Sequence, residues 1–266
     1  MFVIARHHEA LQELGLDTME GVKRCKGELI KNHKGRRDIQ RIEVRRTQGL
    51  PLVLFLKRNW QPYKKDGLKS LICRGAVWSQ SRLEWENSLA LQRAGIGVAE
   101  PVAFGEECGS LWERFSFIIT ASARGEITVD QFLRSCTDAA ERRRVADALA
   151  VAVREMHDAG LASPDLFTRH IFLERGVQPT FCLIDMARLD RQQPLSPRLR
   201  ARDLAALNVT APLRFVSTQE RRRFFEIYGG DAFLKDLERR RTEHLLKRRK
   251  FAEFSQPAAS AQNDSQ

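Results

Sequence analysis

The sequence predicts an α+β chain in two parts: an N-terminal antiparallel β-sheet lobe with one main helix, then a C-terminal lobe that is mainly helical. Three features predict it. Between residues 26 and 123, short apolar runs alternate with polar, glycine-containing turns, the pattern of β-strands. After Gly125 the apolar residues recur at helical spacing instead. Within that helical region two short β runs flank the turn ERGVQP. A chain of 266 residues is long enough for one large core or for two lobes.

Residues 1–25 read as a helical lead-in. The stretch GELIKNHKGRRDIQRIEVRR then gives two strands joined by a basic turn around Gly35. In GLPLVLFLKRN the continuous apolar run from Leu52 to Leu56 suits a strand covered on both faces, and Lys57 emerges at its end, placed to reach into a cleft. Residues 61–80 are polar and aperiodic and read as a loop. SRLEWENSLALQRAGI is a helix with Leu83, Leu89 and Leu91 as its apolar positions, stopped by Gly95. VAEPVAFGEE and LWERFSFIITAS complete a lobe of five strands over 26–123.

The second lobe, 124–252, opens with the helical segment ITVDQFLRSC and a long helix closed by Gly160, in which Val145, Leu149, Ala152, Val153 and Met156 share a face. Two β runs follow in HIFLERGVQPTFCLIDMARLD, and further helices begin at PRLRARDLAALN. Residues 253–266 are small, polar and aperiodic, the composition of a disordered tail.

Composition limits the function classes. Lys and Arg number 45 against 34 Asp and Glu, a formal charge of +11 that favours anionic partners. The basic residues are interspersed with acids except in KNHKGRR and RRRTEHLLKRRK, so an anionic membrane surface is expected as a partner and nucleic acid is not. Five scattered cysteines, without a CxxC pair or a histidine at ligand spacing, read as reduced thiols rather than a zinc site. No run of about 18 apolar residues is present and the start lacks a cleavable signal, so a cytoplasmic chain is expected.

SPDLFTRHIFL carries the first candidate for chemistry, Asp165, with His170 five residues on. FCLIDMAR carries the second, Asp185, at the end of an apolar strand. Taken alone, each aspartate is a turn former, Lys57 a strand-end lysine and Glu84 a solvated helix residue. Their joint order says more. A strand lysine, a helix glutamate, an aspartate after a long helix and an aspartate after a hairpin resemble the protein-kinase fold. The departures are His170 where protein kinases have Asn, Met186 and Ala187 in place of Phe and Gly, and Ser163-Pro164 before the aspartate.

LEWENSLALQRAGIGVAEPVAFGEE, the histidine at 170 and RDLAALN are similar to the bacterial lipopolysaccharide kinases, which phosphorylate Kdo or heptose sugars of the inner core. The resemblance spans roughly residues 25–230. It implies a protein-kinase-like bilobal fold, ATP and Mg²⁺ as cofactors, an inner-core sugar as substrate, and a peripheral position at the cytoplasmic face of the inner membrane. It also implies roles: Lys57 on the α/β-phosphates, Glu84 holding Lys57 with Glu86 as competitor, Asp185 on the metal, Asp165 on the acceptor hydroxyl. His170 is left either as a metal ligand or as a support for Asp165, the latter favoured because Mg²⁺ prefers oxygen. The tip NHKGRRD has one glycine where a phosphate-covering loop has three, so Lys34, Arg36 and Arg37 are expected to compensate by charge, the alternative being a solvated hairpin tip. Two other readings remain: a kinase-fold phosphotransferase for another small molecule, or a non-catalytic kinase-fold protein.

Overall fold

A computed structural model describes residues 1–44, 52–60, 75–109, 112–248 and 251. The chain divides into two compact units, Met1–Ala90 with Ala99–Ala123, and Leu91–Val98 with Arg124–Gln266. The α+β class expected from the strand and helix patterns is the class observed.

In the first unit, the described residues form an antiparallel sheet of six strands in the order β1-β5-β6-β4-β3-β2. They are β1 (Phe2–Val3), β2 (Glu28–Asn32), β3 (Arg37–Val44), β4 (Leu52–Asn59), β5 (Pro101–Cys108) and β6 (Glu113–Ala121). Five were expected; β1 is two residues long, too short to leave a pattern, and pairs Phe2 with Phe104. Central β4 lies between β3 and β6 with Leu54 and Leu56 fully buried, but Val53 and Phe55 on its other face are only half-buried, so the apolar run is fully covered on one face and not on both as expected. The expected lead-in forms α1 (His8–Glu13) and α2 (Met19–Arg24), whose Leu11 and Val22, with Leu16 between them, join Leu54, Leu56, Phe117 and Ile119 in one core.

Arg58 fastens that lead-in. It is 4% exposed, and its guanidinium donates to Asp38 Oδ1 at 2.9 Å and to the carbonyls of Val22, Lys23 and Cys25 at 2.9, 3.0 and 3.0 Å. A cation at these terminal carbonyls also meets the negative end of α2.

The main helix is α3 (Gln80–Arg93). Its buried residues are more polar than the apolar stripe read in the sequence, of which Leu91 is buried, in the core of the second unit. Ser81, Glu84, Trp85, Asn87, Ser88 and Leu91 are buried, whereas Leu83 and Leu89 are only half-buried. Of the expected loop 61–80, residues 61–74 lie outside the described residues, as does the expected tail 253–266.

The second unit holds α4 (Val129–Ser135), α5 (Ala139–Asp158), α6 (Pro197–Thr210), α7 (Thr218–Tyr228) and α8 (Ala232–Leu246). The Val145, Leu149, Val153 and Met156 stripe of α5 is buried as its spacing requires. Helix α6 is the central element, with Ala201, Asp203, Leu204, Ala205, Ala206 and Leu207 buried in succession. The expected hairpin is β9 (Ile171–Glu174) with β10 (Thr180–Leu183), extended by β7 (Ile127–Thr128); β8 (Leu161–Ala162) pairs separately with β11 (Asp190–Arg191). Gly97 runs against β10 so closely that a Cβ would sit 2.1 Å from the Phe181 carbonyl oxygen, which only glycine permits. Among the described residues no helix is long and apolar enough to cross a membrane.

Replacing Arg58 by Met keeps most of the aliphatic stem but leaves Asp38 and three carbonyls without their cation. Arg58→Met should lower unfolding free energy by about 3–5 kcal/mol, the cost of breaking a buried pair. Urea unfolding measures it, and a loss under about 1 kcal/mol would show that the clamp is dispensable.

Candidate active site

The first unit contributes a lysine held by a carboxylate. Strand β4 sits between β3 and β6 with Lys57 opposite Ile39 and Ile118, and α3 lies against the sheet with Glu84 turned inward. Lys57 Nζ meets Glu84 Oε1 at 2.6 Å, both side chains buried. The structure therefore selects Glu84 over Glu86 as the partner of Lys57.

Lys34 and Arg36 lie at the exposed tip of the β2–β3 hairpin. The turn uses left-handed backbone at Lys34 (φ 51°) and Gly35 (φ 73°). Its amides serve the hairpin itself: Gly35 N donates to Asn32 Oδ1 at 2.8 Å, Arg36 N to the His33 carbonyl at 2.9 Å and His33 N to the Arg37 carbonyl at 2.8 Å. The side chains of Lys34 and Arg36 are exposed at this tip.

The second unit brings together Asp165, His170 and Asp185. After α5 and β8 the chain turns tightly: Leu166 N donates to the Ser163 carbonyl at 3.1 Å and Phe167 N to the Asp165 carbonyl at 2.7 Å. Ser163 is fully buried, and its amide donates to Asp203 Oδ2 on α6. Asp165 remains partly accessible, its Oδ2 3.4 Å from the exposed guanidinium of Arg188.

His170 is tied to the same loop. Its Nδ1 lies 2.8 Å from the Asp165 carbonyl oxygen, an atom that only accepts, so Nδ1 carries the proton and Nε2 the lone pair. Burial lowers its pKa below the ordinary histidine range, against the opposing pull of the Asp165 carbonyl bond and the Asp185 charge, so the ring is neutral at pH 7. Through its backbone His170 also receives Ile184 N at 3.0 Å, which fixes the strand end carrying Asp185. Asp185 itself adopts left-handed backbone, φ 61°, a region uncommon outside glycine in which aspartate is among the more frequent residues. Among the described residues no three His, Cys, Asp or Glu side chains form a ready-made metal cluster. Mg²⁺ usually takes one or two carboxylates and completes its shell with phosphate oxygens and water, so a donor set of Asp185 with neighbouring groups fits it.

Residues not singled out in the sequence hold this loop. Asp203, 0% exposed, accepts from Ser163 N and from Arg202 Nε at 2.9 Å, and lies 3.3 Å from His157 Nε2. With Nε2–H donating to the carboxylate, His157 Nδ1 accepts from Tyr228 OH at 2.8 Å, and that hydroxyl accepts from Arg200 Nη1 at 3.2 Å. Burial raises the Tyr228 pKa, so the phenol keeps its proton. RDLAALN contained the signal for Asp203; His157 and Tyr228 look like ordinary helix residues. Asp203→Asn places an NH₂ against donors, and exchange of the Ser163 amide should speed by about tenfold or more, the loss of a charge-assisted bond. Unchanged protection by hydrogen-exchange mass spectrometry would refute the tether.

Residues 20–228 match the lipopolysaccharide kinase (Kdo/WaaP) family, and that span contains every candidate residue above. Lipopolysaccharide core heptose(I) kinase WaaP of Pseudomonas aeruginosa is 27% identical over 254 residues, covering 88% of this chain and 92% of that protein. The protein of the same name from Escherichia coli is 27% identical over 236 residues, covering 84% and 85%. Among solved structures, one of WaaP in complex with acyl carrier protein superposes with a TM-score of 0.67 at 22% identity, covering 92% of this chain and 99% of that one, a likeness of fold. With nearly four-fifths of its length matched by the family and its fold shared, the chain belongs to the lipopolysaccharide kinase (Kdo/WaaP) family.

Proposed function

We propose that this chain transfers the γ-phosphoryl group of ATP to a heptose hydroxyl of the lipopolysaccharide inner core. The observation that carries the reading is the family match over residues 20–228, within which a buried lysine–glutamate pair and two aspartates on held backbone retain the side-chain types the chemistry needs. The heptose is the acceptor in the names of the curated relatives. A kinase of the same fold for another small molecule, or a non-catalytic protein, accounts less well for that match.

Phosphoryl transfer asks for positioning and charge more than for covalent help. ATP bound with Mg²⁺ supplies the phosphoryl group and the divalent charge that offsets its oxygens. In this reading Lys57 reaches the α/β-phosphates and Glu84 keeps its ammonium in place. Lys34 and Arg36 lend charge from the hairpin tip, whose amides are already engaged. Asp185 contributes the metal carboxylate. Asp165 orients the acceptor hydroxyl and takes its proton, and His170 supports that loop through the Asp165 carbonyl.

The acceptor is lipid-anchored in this reading, so the enzyme works at an anionic membrane surface, held there by exposed cations such as Arg241 on α8 and Lys247 just beyond its end. Each is worth about 1 kcal/mol at such a surface. Arg239 and Arg240 already pair with Asp236 inside the helix, which makes the attraction weaker than the count of cations suggests. Co-sedimentation with phosphatidylglycerol vesicles should be present at low salt and lost at high salt. Salt-resistant binding, or none at low salt, contradicts this attachment.

Two substitutions test the chemistry. Asp165→Asn should leave ATP affinity within about twofold and lower transfer by ~10²-fold or more, the loss of a positioned base. Native turnover in Asp165→Asn would make the aspartate a loop former. Asp185→Ala should abolish Mg²⁺-dependent turnover in a folded protein, and His170→Asn should keep partial activity with an unchanged Mg²⁺ requirement. A shifted Mg²⁺ requirement in His170→Asn would instead make the histidine a ligand.

A further inference from the structure

The first turn of α3 is held in an unusual way. A helix start leaves amides unsatisfied and welcomes negative charge, yet α3 has no acidic residue in its first turn. The sheet supplies that charge. Glu113 Oε2, from the start of β6, accepts Gln80 N at 3.1 Å, and Glu106 Oε2, from β5, accepts Ser79 N at 3.3 Å. Ser79 Oγ caps Arg82 N at 2.9 Å.

Glu113 is only 6% exposed, and its other oxygen accepts Ser116 Oγ at 2.5 Å. Ser116 pairs with Ser81 Oγ on α3 at 2.7 Å, and Asn59 Nδ2 donates to both serine oxygens at 3.2 Å. The spacing links this cluster to the candidate site. Lys57 and Asn59 are two apart on β4 and share a face, while Ser81 and Glu84 are three apart on α3 and share a face. One strand face therefore meets one helix face at two rungs, Asn59–Ser81 and Lys57–Glu84.

Apolar contact would hold a helix against a sheet at lower desolvation cost than a buried carboxylate and two serines. What a directional polar cluster adds is register, since a hydrogen bond fails when the helix turns or slides whereas an apolar contact adapts. In protein kinases the setting of the corresponding helix is a point of control. We infer that Glu113, through Ser116, Ser81 and the amide of Gln80, is a positioning residue that fixes the rotation and height of α3 and thereby the meeting of Glu84 with Lys57. This rests on the reading of Lys57 as a nucleotide-phosphate ligand.

The test is a double-mutant cycle on the full chain, reading KM for ATP, kcat and KM for the acceptor. Glu84→Gln comes first. If it leaves KM for ATP unchanged, the role proposed for the Lys57–Glu84 pair fails, and this inference with it. If it raises KM for ATP, Glu113→Gln should raise the same constant by about 5- to 10-fold, the size set by one charge-assisted hydrogen bond. Acceptor KM should stay within twofold. In the Glu84→Gln background Glu113→Gln should then add little, because both act on one contact. Additive effects, or a fall in kcat alone, would reduce Glu113 to a general stabiliser and overturn the inference. Should Glu113→Gln fail to fold, Ser81→Ala, which removes one hydroxyl, is read by the same cycle with the same non-additive outcome required.

Discussion

One carboxylate with no exposed surface organises the second unit. Asp203, midway along α6, collects Ser163 N, Arg202 Nε and His157 Nε2. A buried carboxylate is tolerated only when its oxygens are satisfied by donors, and here those donors come from the end of α5, the turn after β8 and α6 itself. The turn that carries Asp165 is thus fixed two residues away from that side chain, which stays accessible for work. His157 extends the constraint to Tyr228 at the end of α7, so three helices and a loop share one polar network. Thr168 adds a second attachment, its hydroxyl donating to the Thr210 carbonyl at the end of α6 at 2.8 Å.

The first unit solves a similar problem with a similar device. Lys57 is held by Glu84 at 2.6 Å, and Glu84 sits on α3, whose first turn receives carboxylates from the sheet. In both units the groups with chemical potential are attached to polar networks more than to apolar surface. Apolar cores, Leu54, Leu56 and Phe117 in one unit and Val153, Met156 and Leu204 in the other, supply the bulk of the burial. The networks supply the geometry.

Much of this was legible in the sequence because it is local. The run Leu52–Leu56 announces a central strand and places Lys57 at its end; the α5 stripe and Gly160 announce the helix before the Asp165 turn. The order of Lys57, Glu84, Asp165 and Asp185 along the chain suggested the protein-kinase fold, and LEWENSLALQRAGIGVAEPVAFGEE, His170 and RDLAALN suggested the family. Other features were hidden for physical reasons. Asp203 lies 40 residues from Ser163 and Tyr228 lies 71 from His157, separations that only folding closes. The choice between Glu84 and Glu86 depends on which face of α3 turns inward, and that face mixes Ser81, Glu84, Asn87 and Ser88 with Trp85, so Leu83 and Leu89, only half-buried, did not reveal it. Glu113 lies in a segment legible as a strand, but nothing in a strand pattern says that its first residue reaches over to cap a helix.

The central claim is that this chain adds phosphate to the lipopolysaccharide core. The most direct measurement is the mass of that core in cells with the gene intact, deleted, and deleted but resupplied. The account predicts that deletion removes the mass of one phosphate from the heptose region and that resupply restores it. Cores of identical mass in intact and deleted cells would contradict it.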